Sequence, residues 1–241
     1  MSAPKQLTLL VGLRAFIAFS SAIVFCPGGH AAEMRLLLRG NDYRSLILEG
    51  EIESGDYEHF LRAVKDNQGE LADVYLLSRS GDFVEAIKIG RALRAQEMRS
   101  VVPGRNSAAQ SFCYDDSIPR NPANCTAASA AFFIHVGAVE RAGLYLVVHR
   151  PYFAPEQFAK FPESQVQAAF DALQRDARAY MTEMGVPPQV QEQASLSPFK
   201  DFTSLFCENL QRWEDSGAGN CRKTTLCETP SLPGSELCVK I

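Results

Sequence analysis

Short apolar runs alternating with segments of helical spacing constrain this chain more than any other feature. The first run, from Ser45 to Ile52, is apolar, β-branched and close to Gly50, which predicts a strand. Ser54 then stands where a helix cap belongs. Tyr57, Phe60, Leu61 and Val64 follow at helical intervals. The second run, Asp73-Val74-Tyr75-Leu76-Leu77, reads as a strand buried on both faces. Ser78-Arg79-Ser80-Gly81-Asp82 makes a turn, and Phe83, Ile87, Gly90 and Leu93 carry the next helix. Ser100 to Pro103 is a third strand. The order β-α-β-α-β implies parallel strands joined by right-handed crossovers, hence an α/β fold with a mostly parallel sheet.

The remainder extends that pattern. Residues 104–124 are polar and rich in Ser, Asn and Pro, and read as a loop. A loop of that length inside a domain is usually functional or tethered, and Cys113 and Cys125 offer the tether. Ala127 to Val136 is apolar and helical in pattern, and Leu144 to His149 reads as another buried strand. Ser164 opens a long helix with Val166, Phe170, Leu173, Ala177, Met181 and Met184 on one face. Gly185-Val186-Pro187-Pro188 ends it. Short helices are expected over Gln189–Gln193 and Phe202–Trp213. The 241 residues divide into a leader (1–31), one domain (32–214) and a Cys-rich tail (215–241).

The leader reading rests on Lys5, an apolar run from Leu7 to Phe25, and small residues at Gly29 and Ala31. Together they resemble an export signal removed after Ala31 or Ala32. The run is long enough to anchor an uncleaved chain, but Arg14 interrupts it, so no stable membrane span is expected after processing. The protein is then periplasmic or secreted. Cys26 departs with the leader, and six cysteines remain: Cys113, Cys125, Cys207, Cys221, Cys227 and Cys238. An even number in an oxidising compartment reads as disulfides, with connectivity left open by the count. Cys113 with Cys125 is the pair expected to close one loop, while the other four would staple the tail. Zinc is the rival reading, but no CxxC pair occurs, so no metal and no cofactor are expected. A net charge of −4 offers no basic surplus for nucleic acid or anionic lipid.

Three stretches carry candidate chemistry, and each lies at a strand end, where open parallel sheets gather ligands. In the first, Gly81 lets the backbone turn an N–H outward, as an oxyanion hole requires; the bland reading is an ordinary βα turn. In the second, Ser129 sits among small residues in Ala127-Ala128-Ser129-Ala130-Ala131, at the head of an apolar helix whose free N–H groups favour a developing oxyanion. Ala130 N–H would pair with Gly81 N–H as the second donor. The bland reading is a helix cap or a small packing residue. In the third, His149 ends the strand Leu146-Val147-Val148, placed to act as a base near neutral pH; the bland reading is a satisfied surface histidine.

In this order the three stretches resemble the Clp protease proteolytic subunit and its crotonase-like relatives. Ser78-Arg79-Ser80-Gly81-Asp82 is similar to the family's Ser-Pro-Gly-Gly-Ser turn, and Ala127-Ala128-Ser129 to its nucleophile segment. Val147-Val148-His149-Arg150-Pro151 is similar to its histidine strand. The likeness runs from about Leu46 to Trp213. It is strongest to exported members with a Cys near the serine and Gly-Val-Glu-Arg beyond, where Gly137-Ala138-Val139-Glu140-Arg141 stands here. The resemblance implies a crotonase/ClpP-like βαβ fold and a Ser-His-Asp serine peptidase acting on peptide or protein. Ser129 would be its nucleophile, His149 its base, Gly81 and Ala130 its oxyanion donors, and Asp201 the carboxylate that orients the histidine. It also implies a homo-oligomer built through the long helix. Lys160 and Lys200 would serve a lysine-based variant, and neither lies in a matched motif. An acyl-CoA enzyme of the crotonase branch fits export poorly. Ser80 and Asp82 depart from the paired glycines of the oxyanion turn, which motivates a second reading: a catalytically inactive binding or assembly module on the same fold.

Overall fold

A computed structural model describes residues 31–39, 43–67, 71–105, 110–113, 118–143, 145–153 and 161–196, and the backbone of 203–205, 225–226 and 239–240. The leader up to residue 30, Leu144, Lys160, Lys200, Asp201, Cys207, Cys221, Cys227 and Cys238 lie outside the described residues.

Five strands form the main sheet in the order β1-β2-β3-β4-β8: β1 (Glu33–Arg39), β2 (Tyr43–Glu49), β3 (Leu71–Leu77), β4 (Arg99–Val101) and β8 (Glu140–Ala142). All neighbours are parallel except β1, which pairs antiparallel with β2. The fold is therefore α/β with a mostly parallel sheet, as the alternating pattern predicts, and β1 is an edge strand that the pattern missed. α1 (Asp56–Asp66) crosses from β2 to β3 and α2 (Phe83–Ala95) from β3 to β4. α3 (Ala130–Gly137) leads to β8, and α4 (Glu163–Glu183) and α5 (Pro188–Leu196) follow.

Both faces of β2 and β3 are covered, which is why their sequences read as continuous apolar runs. On one face, Leu46, Leu48, Val74 and Leu76 join the main core with Phe60, Ile89 and Phe132. On the other, Ile47 and Leu77 pack with Ile118 from the polar loop region, and half-buried Cys113 joins them. The described part of the segment expected as a long loop thus covers that face of the sheet. It contains a two-residue ladder between β5 (Gly104–Arg105) and β6 (Ser111–Phe112) and a 3-10 turn at Pro122–Asn124. Among the described residues it is held by Arg35, which donates to Ile118 O, by the ion pair of Arg120 with Glu33 at 2.9 Å, and by two larger devices. One is the Cys113–Cys125 disulfide, the pairing expected from sequence. The other is Glu49, buried at the end of β2, whose carboxylate accepts the Arg120 and Asn121 N–H groups at 2.9 and 3.1 Å. It also takes Asn124 Nδ2 at 2.9 Å and Arg35 at 2.7 Å. Burial alone would raise the Glu49 pKa; these hydrogen bonds outweigh it and hold the carboxyl below its usual value.

α2 and α3 meet glycine to glycine. A Cβ on Gly137 would lie 2.5 Å from Gly90 Cα, so the two backbones touch where no side chain fits. Arg94 of α2 then donates to the carbonyls of Gly137 and Met184, at 3.0 and 3.1 Å, filling acceptors that two helix ends leave over.

Three local expectations need correction. The N-cap of α1 is Gly55, not Ser54, and it makes no side-chain cap. Glu85 replaces that cap by accepting the Gly55 and Tyr57 N–H groups at 3.1 and 2.9 Å. Ala127–Ala128 is a strand (β7) rather than the start of the helix. Thr203–Leu205 is also a strand (β10), where a helix was expected. β10, β9 (Leu146–Val148) and β7 form a second, three-stranded sheet in that order.

Candidate active site

The path into Ser129 explains its conformation. β7 lies parallel to β9, Ala127 beside Leu146 and Ala128 beside Val147. Ala128 N–H bonds to Ser78 O at 2.8 Å and Ser129 N–H to Val147 O at 3.2 Å. The chain is thus held on both sides until Ser129, and at Ala130 it is already helical. The reversal falls on Ser129 alone, which adopts φ 55° and ψ −111°. Those angles suit the first central position of a mirror-image type II turn, normally taken by glycine. An L-residue there costs on the order of 1–3 kcal/mol. Neither bland reading of Ser129 accounts for this. It occupies the N-cap position, yet its hydroxyl makes no capping bond, and it lines an open cleft rather than a packed core. A serine on a strained strand-to-helix turn is the arrangement of a nucleophile elbow. The sequence signal for it, small residues around a serine, could not reveal the backbone angle.

Gly81 is fixed by its neighbour Ile52. Ile52 N–H bonds to Ser80 O at 3.1 Å, and Asp82 N–H to Ile52 O at 2.7 Å. In such a parallel bridge, Gly81's own N–H and C=O point away from Ile52. A Cβ at Gly81 would sit 2.5 Å from Ile52 backbone and side-chain atoms, at φ 143°, so only glycine fits. Ala130, at the first helical position, carries an N–H with no acceptor inside its helix. Gly81, Ala130 and Ser129 all line one cleft of about 380 Å³. Ile52, Phe83 and Phe133 give it an apolar side. Asp82 also lines it, with its Oδ1 turned to cap α2 through Glu85 N–H at 3.0 Å. Glu51, Glu53 and Tyr152 also line it; nothing in the residue pattern marks the two glutamates as site residues.

His149 follows β9 directly, one residue beyond the partner position of Ser129 in the parallel register. It is 2% exposed, not a surface residue. Its Nδ1 lies 2.9 Å from Arg150 O. A carbonyl only accepts, so Nδ1 carries the proton and the basic lone pair is on Nε2. Burial lowers the His149 pKa, partly opposed by the bond to Arg150 O, which keeps the imidazole neutral near pH 7. Tyr152, which lines the cleft, has its ring centroid 5.5 Å from that of His149. Among the described residues no hydrogen bond joins Ser129 Oγ to His149. Asp201 lies outside the described residues; the chain is described again at Thr203, paired with Val148.

A second histidine, His135 on α3, escaped notice in the sequence. It is fully buried, bonds through Nδ1 to Ser100 Oγ at 2.8 Å, and stands in the core away from the cleft. Among the described residues no group of acidic, His and Cys side chains is arranged to hold a metal, and no helix is long and apolar enough to cross a membrane.

No family model and no curated protein matches the chain. Among solved structures it is similar to the 1510-N membrane-bound stomatin-specific protease, as a serine-to-alanine mutant, with 16% identity over 70% of this chain and 74% of that one. It is similar to the same protease as a lysine-to-alanine mutant in complex with a substrate peptide, again at 16% identity, over 70% of each chain. Both give a TM-score of 0.42, too low for either to bear on the chemistry of this chain.

Proposed function

We propose that this protein is an exported serine hydrolase acting on peptide or protein substrates, with Ser129 as nucleophile and His149 as base. The observation that carries the reading is the strained Ser129 backbone facing the cleft, a cost that neither packing nor helix capping explains. In acylation, Ser129 Oγ would attack the scissile carbonyl while its proton passes to His149 Nε2. The oxyanion would be held by Gly81 and Ala130 N–H, and the imidazolium would return the proton to the leaving amine. Water would then release the acyl group by the reverse sequence. Arg150 O holds the tautomer that this chemistry needs, a task that a resemblance to triad enzymes gives to Asp201. The reading requires Ser129 Oγ and His149 Nε2 to come within hydrogen-bond reach when the cleft is filled.

A fluorophosphonate probe should label the wild-type protein and leave Ser129→Ala unlabelled, with His149→Gln labelled at least about a hundredfold more slowly. Labelling of Ser129→Ala at the wild-type rate would remove Ser129 as nucleophile. The second reading, an inactive binding module, draws on the Asp82 carboxylate at the oxyanion turn. It expects no labelling of any variant.

A further inference from the structure

Asp56 is wholly buried at the first position of α1. Its Oδ2 accepts two backbone N–H groups, from Glu53 at 2.8 Å and from Ala32 at 3.1 Å. Its Oδ1 is sealed from solvent and accepts no hydrogen bond. The half-exposed His59 ring has Nδ1 3.7 Å from that oxygen. A buried carboxylate with an idle oxygen is costly, because the lone pairs lose water and gain no donor. Other acids face the same helix end. Glu85 takes the Gly55 and Tyr57 N–H groups and is paired with Lys88 at 2.8 Å, while Glu53 lies on the cleft rim.

The nitrogen that reaches Asp56 belongs to Ala32, 5% exposed. Preceding Ala31 is exposed. The Ala31–Ala32 bond is also one of the two at which the sequence places removal of the leader. Hydrolysis there adds hydroxyl to the Ala31 carbonyl and hydrogen to the Ala32 nitrogen, which takes up a further proton near neutral pH. One amide donor becomes an ammonium with a positive charge and three donors at the same point. We infer that Asp56 is a receptor for the processed N-terminus, its carboxylate forming a buried ion pair with the α-ammonium of Ala32. The inference rests on the export part of the proposed function and not on the hydrolase part. It also separates the two cleavage positions, since a cut after Ala32 would remove the donor. The cut releases Ala31 from its bridge to Glu51, so processing also frees one residue of the cleft rim.

The test expresses the full chain in an exporting bacterial host and reads the first residue of the recovered protein by intact mass. The α-amine is then labelled with an amine-selective reagent, folded and in urea, across pH. Wild type is expected to begin at Ala32. Its folded amine should label at least about tenfold more slowly than in urea, with the half-titration point moved upward, because ion pairing keeps it protonated. Asp56→Asn should abolish most of that protection. An uncut chain would overturn the export reading and this inference together. A different first residue, or an amine labelled equally fast folded and unfolded, would overturn the Asp56 assignment alone. Should Asp56→Asn fail to fold, the wild-type pH profile still decides.

Discussion

Ser129 combines a strained backbone with the hydroxyl proposed as nucleophile, and the two can be separated. Replacing it by glycine removes the hydroxyl and relieves the positive φ, so Ser129→Gly should gain about 1 kcal/mol in urea unfolding after the entropy lost by a glycine in the unfolded chain. Ser129→Ala keeps the disfavoured backbone and should stay near wild type. A loss of stability in the glycine variant would show that the turn is held by the side chain. His135 makes a different prediction. Burial, and then the charge of Arg141, lower its pKa from 6.5 to about 3. Between those values the unfolded chain binds a proton that the folded chain refuses, so folded stability falls as pH falls. The slope from this residue is about 1.4 kcal/mol per pH unit. Urea midpoints measured from pH 7 to pH 4 should fall less steeply in His135→Gln than in wild type.

The contact between α2 and α3 decides what the helices tolerate. A methyl on Gly137 meets backbone atoms of Gly90, which cannot rotate away. Gly137→Ala should therefore cost about 2 kcal/mol, read as a lower thermal midpoint, by forcing the two helices apart. The helices themselves were legible because their apolar residues repeat at helical spacing: α2 and α4 fall close to where Phe83 to Leu93 and Ser164 to Met184 predict them. The pairs that fix their distance were not legible, since Gly90 and Gly137 are remote in sequence and neither is marked as an interface residue by its neighbours. Ser54 failed as a cap for a similar reason. The N–H groups it would have taken are satisfied by Glu85, from the next helix. β1 escaped because alternation in an edge strand with half-exposed Leu36 and Leu38 gives a weak signal. At the site, residue types and order could be read from sequence, but the Ser129 dihedrals follow from the pairing of β7 with β9, and the Arg150 carbonyl meets His149 through the local backbone path after β9.

In the whole molecule, the described part of one covering segment links a face of the main sheet to β7, the strand that leads into Ser129. The Cys113–Cys125 bond closes a loop with a sequence separation of 12, directly ahead of β7. Reduction should lower stability by about 3 kcal/mol, the entropy returned to an unfolded chain with a loop of that size. If the segment also steadies Ser129, the labelling rate of folded protein should fall in Cys113→Ser. A Cys113→Ser protein with unchanged urea midpoint would show that the remaining contacts, those of Glu49 and Arg35 and the packing of Ile118, hold the cover without the disulfide.

The contact of Gly81 with Ile52 has a consequence for descent. Any lineage that keeps this sheet must keep position 81 free of a side chain, whether or not it retains chemistry, because the neighbouring backbone leaves no room. Position 129 obeys a different rule. Where the proposed hydrolysis is not selected, drift there should settle on glycine or asparagine, which tolerate its dihedrals at less cost. Among divergent homologues, invariance at 129 alongside 149 would therefore record preserved catalysis, whereas invariance at 81 records only architecture.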